Sequence, residues 1–217
     1  MEITNVKKRG KMRGIIIEFE GIDGSGKRTL SKMLKEELSK KNYKVCLYSY
    51  PDYKSKYGMI IKAFLDNEIE LSVEEQFLLY LLDMLKDKKE IVQKIDDGFI
   101  VIIDRYFLST IAYQCANNFD YGKAKYIIKS IGLPLPNIIF YLEIPINLAI
   151  ERKSNQKSNL DRFEKNEQFL KKITRIYEKM IKENFPTHWI RLDATRKLEK
   201  IHEETLLNVY NKLINKR

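Results

Sequence analysis

Two cysteines, two histidines and one tryptophan in 217 residues close off several routes to stability and catalysis. Cys46 and Cys115 cannot build a framework of bridges, and neither sits in a metal-ligand cluster, so both are expected to be reduced and packed. His188 and His202 stand singly, one near the presumed last strand and one in the final helix, and neither is expected to be a catalytic base. The apolar runs "GIIIEF" and "FIVII" are far shorter than the roughly 18 residues a membrane span needs. The first residues lack the apolar core of a signal peptide, so a soluble, cytoplasmic protein with no membrane partner is expected. There is no internal repeat and no low-complexity tract.

An apolar content of 44% is enough for one core and does not call for a second. The expected organisation is a basic arm over residues 1–13, "MEITNVKKRGKMR", followed by a single domain over 14–217. A net charge of +10 admits nucleic acid, an anionic surface or a small polyanionic substrate. Lysines alternate with glutamates in "KMLKEELSKK" and "DMLKDKKEIVQK", the pattern of solvated helix faces rather than of one basic stripe interleaved with aromatics. Nucleic acid is therefore not the expected partner.

Short β-rich runs near 14–20, 44–49, 99–103, 137–143 and 188–192 alternate with helical periods near 27–40, 72–95, 105–117, 122–131, 146–153, 162–183 and 197–215. Such alternation is the signature of an α/β fold, a doubly wound five-stranded parallel sheet flanked by helices. Ligands of these sheets bind beyond the carboxyl ends of the strands, so the residues just after each strand deserve the closest reading.

After the first strand comes "GIDGSGKRTL", with Gly21, Gly26 and Lys27 at the spacing of a phosphate-binding loop and Arg28 where a metal-binding hydroxyl usually stands. Glycines let backbone N–H groups turn toward a phosphate, the helix start adds its positive dipole end, and Lys27 can bridge β- and γ-phosphates. The expected ATP-binding stretch is Gly21, Ile22, Asp23, Gly24, Ser25, Gly26, Lys27, Arg28 and Thr29, with the Thr29 hydroxyl available to the phosphates. A plain glycine turn feeding a helix would need neither Lys27 nor the strand in front of it. After the third strand, "DRYFLSTIAYQ" puts Asp104 and Arg105 together at the functional edge, a carboxylate and a guanidinium that can manage magnesium and phosphate jointly or form only a structural ion pair.

Together, "FEGIDGSGK", "DRYFLSTIAYQ" and "LDRFE" resemble, in order and separation, the thymidylate kinase family of P-loop nucleoside monophosphate kinases, over residues 14–217. The resemblance implies phosphoryl transfer from MgATP to dTMP in a homodimer of P-loop NTPase type, with Mg2+ as cofactor and a lid near 151–166. It assigns Asp23 to the deoxyribose 3′-hydroxyl, Arg105 to the acceptor phosphate and Asp104 to metal positioning. Tyr80 falls where the family stacks a ring on thymine, although its place on an apolar helix also suits plain core. Thr110 and Gln114 fall at the base edge and Tyr113 beside the ribose 2′ position. In the lid, Arg152, Lys153 or Lys157 supplies a cation that Gly24 does not, Arg152 being the leading candidate, and Asp161 and Glu164 resemble an acidic pair near acceptor and metal. Asp104 and Glu164 would then hold the metal without a hydroxyl at position 28.

Three positions depart from the family pattern. The loop "YPDYKSKYG" lacks an arginine common there, leaving Lys54 or Lys56 as point charges; Met84 stands where a base-contacting arginine is frequent; and Arg28 replaces serine. The rival enzyme class, a deoxynucleoside kinase, would need a positioned carboxylate base, whereas a nucleotide's phosphate is already ionised and needs cations. A kinase of broader nucleoside monophosphate specificity is the other alternative. A nucleotide-sensing or nucleic-acid-binding P-loop protein is the non-enzymatic one.

Overall fold

The computed structural model describes residues 13–156, 163 and 166–214. Five parallel strands, β1 (Ile15–Glu20), β2 (Val45–Ser49), β3 (Ile100–Asp104), β4 (Ile138–Glu143) and β5 (Trp189–Asp193), form one sheet in the order β2-β3-β1-β4-β5. The helices are α1 (Lys27–Lys40), α2 (Lys56–Leu65), α3 (Val73–Leu85), α4 (Lys88–Asp96), α5 (Phe107–Ala116), α6 (Tyr121–Ile131), α7 (Ile146–Gln156), α8 (Glu167–Lys182) and α9 (Leu198–Ile214). Among the described residues no helix is long and apolar enough to cross a membrane.

β1 lies at the centre of the sheet and is buried along its whole length, which is why it reads as a continuous apolar run interrupted only by Glu18 and Glu20. Phe19 stacks on Phe140 of β4 at 5.3 Å, a contact of the kind that adds about 0.5–1.5 kcal/mol beyond area burial. The chain leaves β1 for the far strand β2, returns to β3 on one side of β1, and then crosses to β4 on the other. That reversal opens a crevice at the carboxyl ends of β1 and β3, where Glu20 runs into the glycine loop and Asp104 into Arg105.

Two helical expectations are corrected. The segment expected as one helix over 72–95 is two, α3 and α4, separated at Lys86 and Asp87. There Lys86 Nζ reaches the Asp83 carbonyl and the carboxylates of Asp83, Asp87 and Asp52, while the Tyr50 hydroxyl donates to Asp87 at 2.9 Å. Tyr50 and Asp52 come from distant sequence, and no local period contains them. The second correction is α2, which begins inside the stretch taken as loop. Ser55 caps it by accepting from the Gly58 N–H at 2.9 Å, and a side chain at Gly58 would drive a Cβ to 1.9 Å from the Asp52 carbonyl oxygen. Cys46 and Cys115 are free and half-buried.

Candidate active site

The glycine loop works through backbone geometry. Gly26 caps α1 at φ 98, and Gly24 sits at φ 82 with Ala149 of α7 so close that a Cβ would come 2.2 Å from its carbonyl oxygen. Position 24 therefore has no room for a basic side chain, and any further cation must come from elsewhere. Lys27 is buried, its Nζ donating to the Ile22 carbonyl at 2.8 Å and approaching the Ser25 hydroxyl at 3.3 Å. Burial, helped by the neighbouring charge of Arg105, pulls the Lys27 ammonium down to about 8.

Arg105 follows β3 at φ 64, a left-handed conformation that costs a non-glycine residue roughly 1–2 kcal/mol. Its N–H donates to the Phe19 carbonyl at 3.1 Å, and its guanidinium is held at three points: Asp23 Oδ1 at 2.8 Å, the Ser109 hydroxyl at 2.9 Å and the Tyr113 hydroxyl at 3.2 Å. Tyr113 in turn donates to Asp23 Oδ2 at 3.0 Å. Burial alone would raise the Asp23 carboxyl, but the charges of Arg105, Lys27 and Lys153 outweigh it and hold the group well below the usual carboxylate range. Asp104 is buried and accepts from the Ser49 hydroxyl at 3.3 Å; burial raises its carboxyl against the opposing pull of Lys27 and Arg105.

Two cavities meet at this edge. One, of 630 Å³, runs along the glycine loop past Lys27, Ser49, Lys54 and Asp104. The other, of 330 Å³, is walled by Tyr80, Met84, Tyr106, Tyr113 and Phe163, and Thr110 and Gln114 also line it. Thr110 Oγ1 and Gln114 Oε1 are buried with no partner among the described residues, as is the Tyr106 hydroxyl, so a polar ligand edge entering the cavity would meet groups waiting for hydrogen bonds. Asp23, Arg28, Arg105 and Lys153 line both cavities and so mark their junction.

The model of a family described as Thymidylate kinase matches residues 19–205. The chain belongs to the thymidylate kinase family. It is 33% identical to a Plasmodium falciparum thymidylate kinase over 207 residues, covering 95% of this chain and 93% of the relative, and 34% identical over 195 residues to one from Leptospira interrogans, covering 88% and 92%. A probable thymidylate kinase of Archaeoglobus fulgidus is 35% identical, covering 88% of this chain and 92% of its own. In fold, the chain is similar to the solved thymidylate kinase structure from Candida albicans, with a TM-score of 0.78, 24% identity and 94% of each chain covered.

Set on that family frame, the residues singled out from sequence divide by position. Asp23, Lys27, Asp104 and Arg105 come together at the crevice, and Tyr80, Thr110, Tyr113 and Gln114 at the aromatic cavity. Arg152 does not join them: its Nη1 donates to the Ala194 carbonyl at 3.0 Å, on the turn before α9, and it lines neither cavity. One residue on, about 100° around α7, Lys153 lines both. Thr29 is exposed and borders neither cavity. Lys54 reaches the glycine-loop cavity, whereas the Lys56 ammonium lies over the Tyr57 ring at 4.9 Å. Lys157, Asp161 and Glu164 lie outside the described residues.

Sequence reasoning passed over Glu20, Ser109, Tyr53, Tyr106 and Phe163. Phe163 meets Tyr113 at 5.9 Å edge-on, closing the aromatic wall from the expected lid. Glu18 is also buried, and burial together with the neighbouring Glu20 charge pushes its carboxyl well above the usual range. Two acidic residues in a central strand were the available signal, since a carboxylate is buried only where partners or a proton neutralise it.

The donor set suits magnesium. Among the described residues no three His, Cys, Asp or Glu side chains gather around one point. Mg2+ commonly takes one or two carboxylates and completes its shell with phosphate oxygens and water, and Asp104, beside the Ser49 hydroxyl in the same cavity as Lys27, offers such a carboxylate.

Proposed function

We propose that the protein transfers the γ-phosphoryl group of ATP to the phosphate of dTMP, giving dTDP and ADP, with the residues above in defined roles. The observation that carries this reading is the junction: an aromatic cavity sized for a base opens into a phosphate-loop cavity where Arg28, Arg105 and Lys153 converge. An acceptor phosphate oxygen attacks the γ-phosphorus while the bond to the β,γ-bridging oxygen breaks and the electron pair leaves with ADP. The acceptor is already ionised, so no general base is required; alignment and cations do the work.

In this scheme the loop amides and Lys27 hold the donor phosphates, and Arg105 clamps the acceptor phosphate. Arg28 and Lys153 spread positive charge over the transferred group from two sides, Lys153 taking the lid role first assigned to Arg152. Magnesium held by Asp104 would neutralise charge on the donor phosphates. Tyr80 stacks on thymine, Thr110 and Gln114 bond its edge, Asp23 receives the 3′-hydroxyl, and Tyr113 disfavours a 2′-hydroxyl. Met84 packs against the base without donating a hydrogen bond, so recognition of the thymine carbonyls rests on fewer groups.

The working unit is proposed to be a homodimer. Met59 and Ile60 on α2 and Leu78 and Leu82 on the adjacent α3 are exposed apolar side chains of the kind an interface covers. Following ATP consumption with dTMP, dUMP, dCMP, AMP and thymidine tests the assignment: dTMP should be the best acceptor, dUMP measurable but poorer, and AMP and thymidine near background. Equal turnover of AMP would remove the pyrimidine assignment.

A further inference from the structure

Glu20, the last residue of β1, has no solvent exposure and touches neither cavity. Its two oxygens nevertheless gather four donors. Oε1 accepts from the backbone N–H groups of Tyr106 and Ser109, each at 3.1 Å, and Oε2 accepts from the hydroxyls of Ser109 and Tyr177, each at 2.6 Å. The first pair ties the start of α5 to the end of β1, satisfying N–H groups that a helix leaves open. The second pair fixes where two hydroxyl hydrogens point.

Ser109 is the link to the reaction. A hydroxyl has one hydrogen, and with that hydrogen given to Glu20 the oxygen is left as an acceptor toward Arg105 Nη1, 2.9 Å away. The guanidinium is then held on two arms, Asp23 and the Tyr113 hydroxyl on Nη2 and the Ser109 oxygen on Nη1. With Nη2 alone engaged the planar fork could still turn about that nitrogen; the Ser109 contact on Nη1 fixes its plane. We propose that Glu20 is a positioning residue for the acceptor phosphate, setting the plane of the Arg105 fork through Ser109. The inference rests on the reading of Arg105 as the acceptor-phosphate clamp. A purely architectural Glu20, one that only fastens α5, would have no preference for a phosphate over the rest of the ligand.

The test measures binding of dTMP and of thymidine, which has the base and sugar but no phosphate, by calorimetry in the absence of ATP. Wild type is compared with Glu20→Gln, Ser109→Ala, Arg105→Ala and the Glu20→Gln/Arg105→Ala double variant. Arg105→Ala should bring dTMP affinity close to that for thymidine. Glu20→Gln and Ser109→Ala should each weaken dTMP about 5- to 10-fold and leave thymidine unchanged, and the double variant should be no weaker than Arg105→Ala alone. Loss of a buried negative charge would by itself tighten phosphate binding, so a weakening points to geometry.

The inference is overturned if Glu20→Gln and Ser109→Ala bind dTMP as tightly as wild type, or tighter, while Arg105→Ala is impaired. Equal losses for dTMP and thymidine, or a full additional loss in the double variant, would overturn it too. Wild-type dTMP binding in Arg105→Ala would instead bring down the clamp reading, and the inference with it. Should Glu20→Gln fail to fold, Ser109→Ala cuts the same link from the other side and decides alone.

Discussion

The two cavities that meet at Arg105 are built on different physics. The glycine-loop side is shaped by backbone: Gly24 and Gly26 at positive φ, a helix start, and a lysine folded against its own loop carbonyl. The base side is shaped by side chains: rings from α3, α5 and residue 163, with three buried polar atoms, on Tyr106, Thr110 and Gln114, left without partners among the described residues. A backbone cradle accepts any polyphosphate of the right geometry, whereas a side-chain pocket can be altered one residue at a time. The comparison implies that losses on the loop side should be large and nearly independent of the acceptor, and losses on the base side smaller and dependent on it.

Lys27→Ala should give the largest effect, a fall in kcat of about 100- to 1000-fold with dTMP and dUMP alike, because one preorganised cation over the transferred phosphate is lost. A loss that differed between the two acceptors would blur the division between the cavities. Arg105→Ala, at the junction, should cost about 2–4 kcal/mol in kcat/KM. Steady-state kinetics near wild type in that variant would remove the clamp from the scheme.

A pH effect belongs to the loop side alone. Lys27 loses its proton above about 8 in the folded chain, against an ordinary value of 10.5. Between those values the unfolded chain binds the extra proton, so this residue's contribution makes folding more favourable as pH rises through that window. Affinity for ATP runs the other way, since the neutral amine has no charge to offer. kcat/KM for ATP should therefore decline above pH ~8, and Lys27→Arg, whose guanidinium stays charged, should lack that decline. A persisting decline in Lys27→Arg would assign it to another group.

Base-side changes should be the smallest. Gln114→Leu removes a buried acceptor with no partner among the described residues and should raise the KM for dTMP by the equivalent of about 1–3 kcal/mol. Met84→Arg should shift the dTMP:dUMP ratio of kcat/KM, which in wild type draws only about 1–3 kcal/mol from the 5-methyl group. An unchanged ratio would show that position 84 does not set base selectivity.

The same division explains what could be read before any coordinates. β1 and β3 were legible as short, largely apolar runs, and the loop after β1 was legible because glycine spacing, Lys27 and the strand-to-helix context coincide there. The base side was legible only through family resemblance, since Tyr80 on a helical period looks like core until Thr110 and Gln114 stand opposite it. α2 stayed hidden because Gly58 and the charged residues before it look like loop; Ser55 as its cap was the available signal. The break between α3 and α4 depends on Tyr50 and Asp52, more than 30 positions away from their partners. Lys153 could not be told from Arg152 without the phase of α7, which the Ala194 contact fixes. Glu20 escaped because a carboxylate inside a strand looks exposed when only its type is considered.

The central claim is that the junction cations select a phosphate as acceptor, not a hydroxyl. The most direct measurement is kcat/KM for dTMP against thymidine with ATP as donor, products identified, in wild type and in Arg105→Ala. The account predicts that wild type forms dTDP from dTMP with negligible conversion of thymidine, and that Arg105→Ala loses most of that difference by losing dTMP turnover. Phosphorylation of thymidine by the wild-type protein at a rate comparable with dTMP would contradict it.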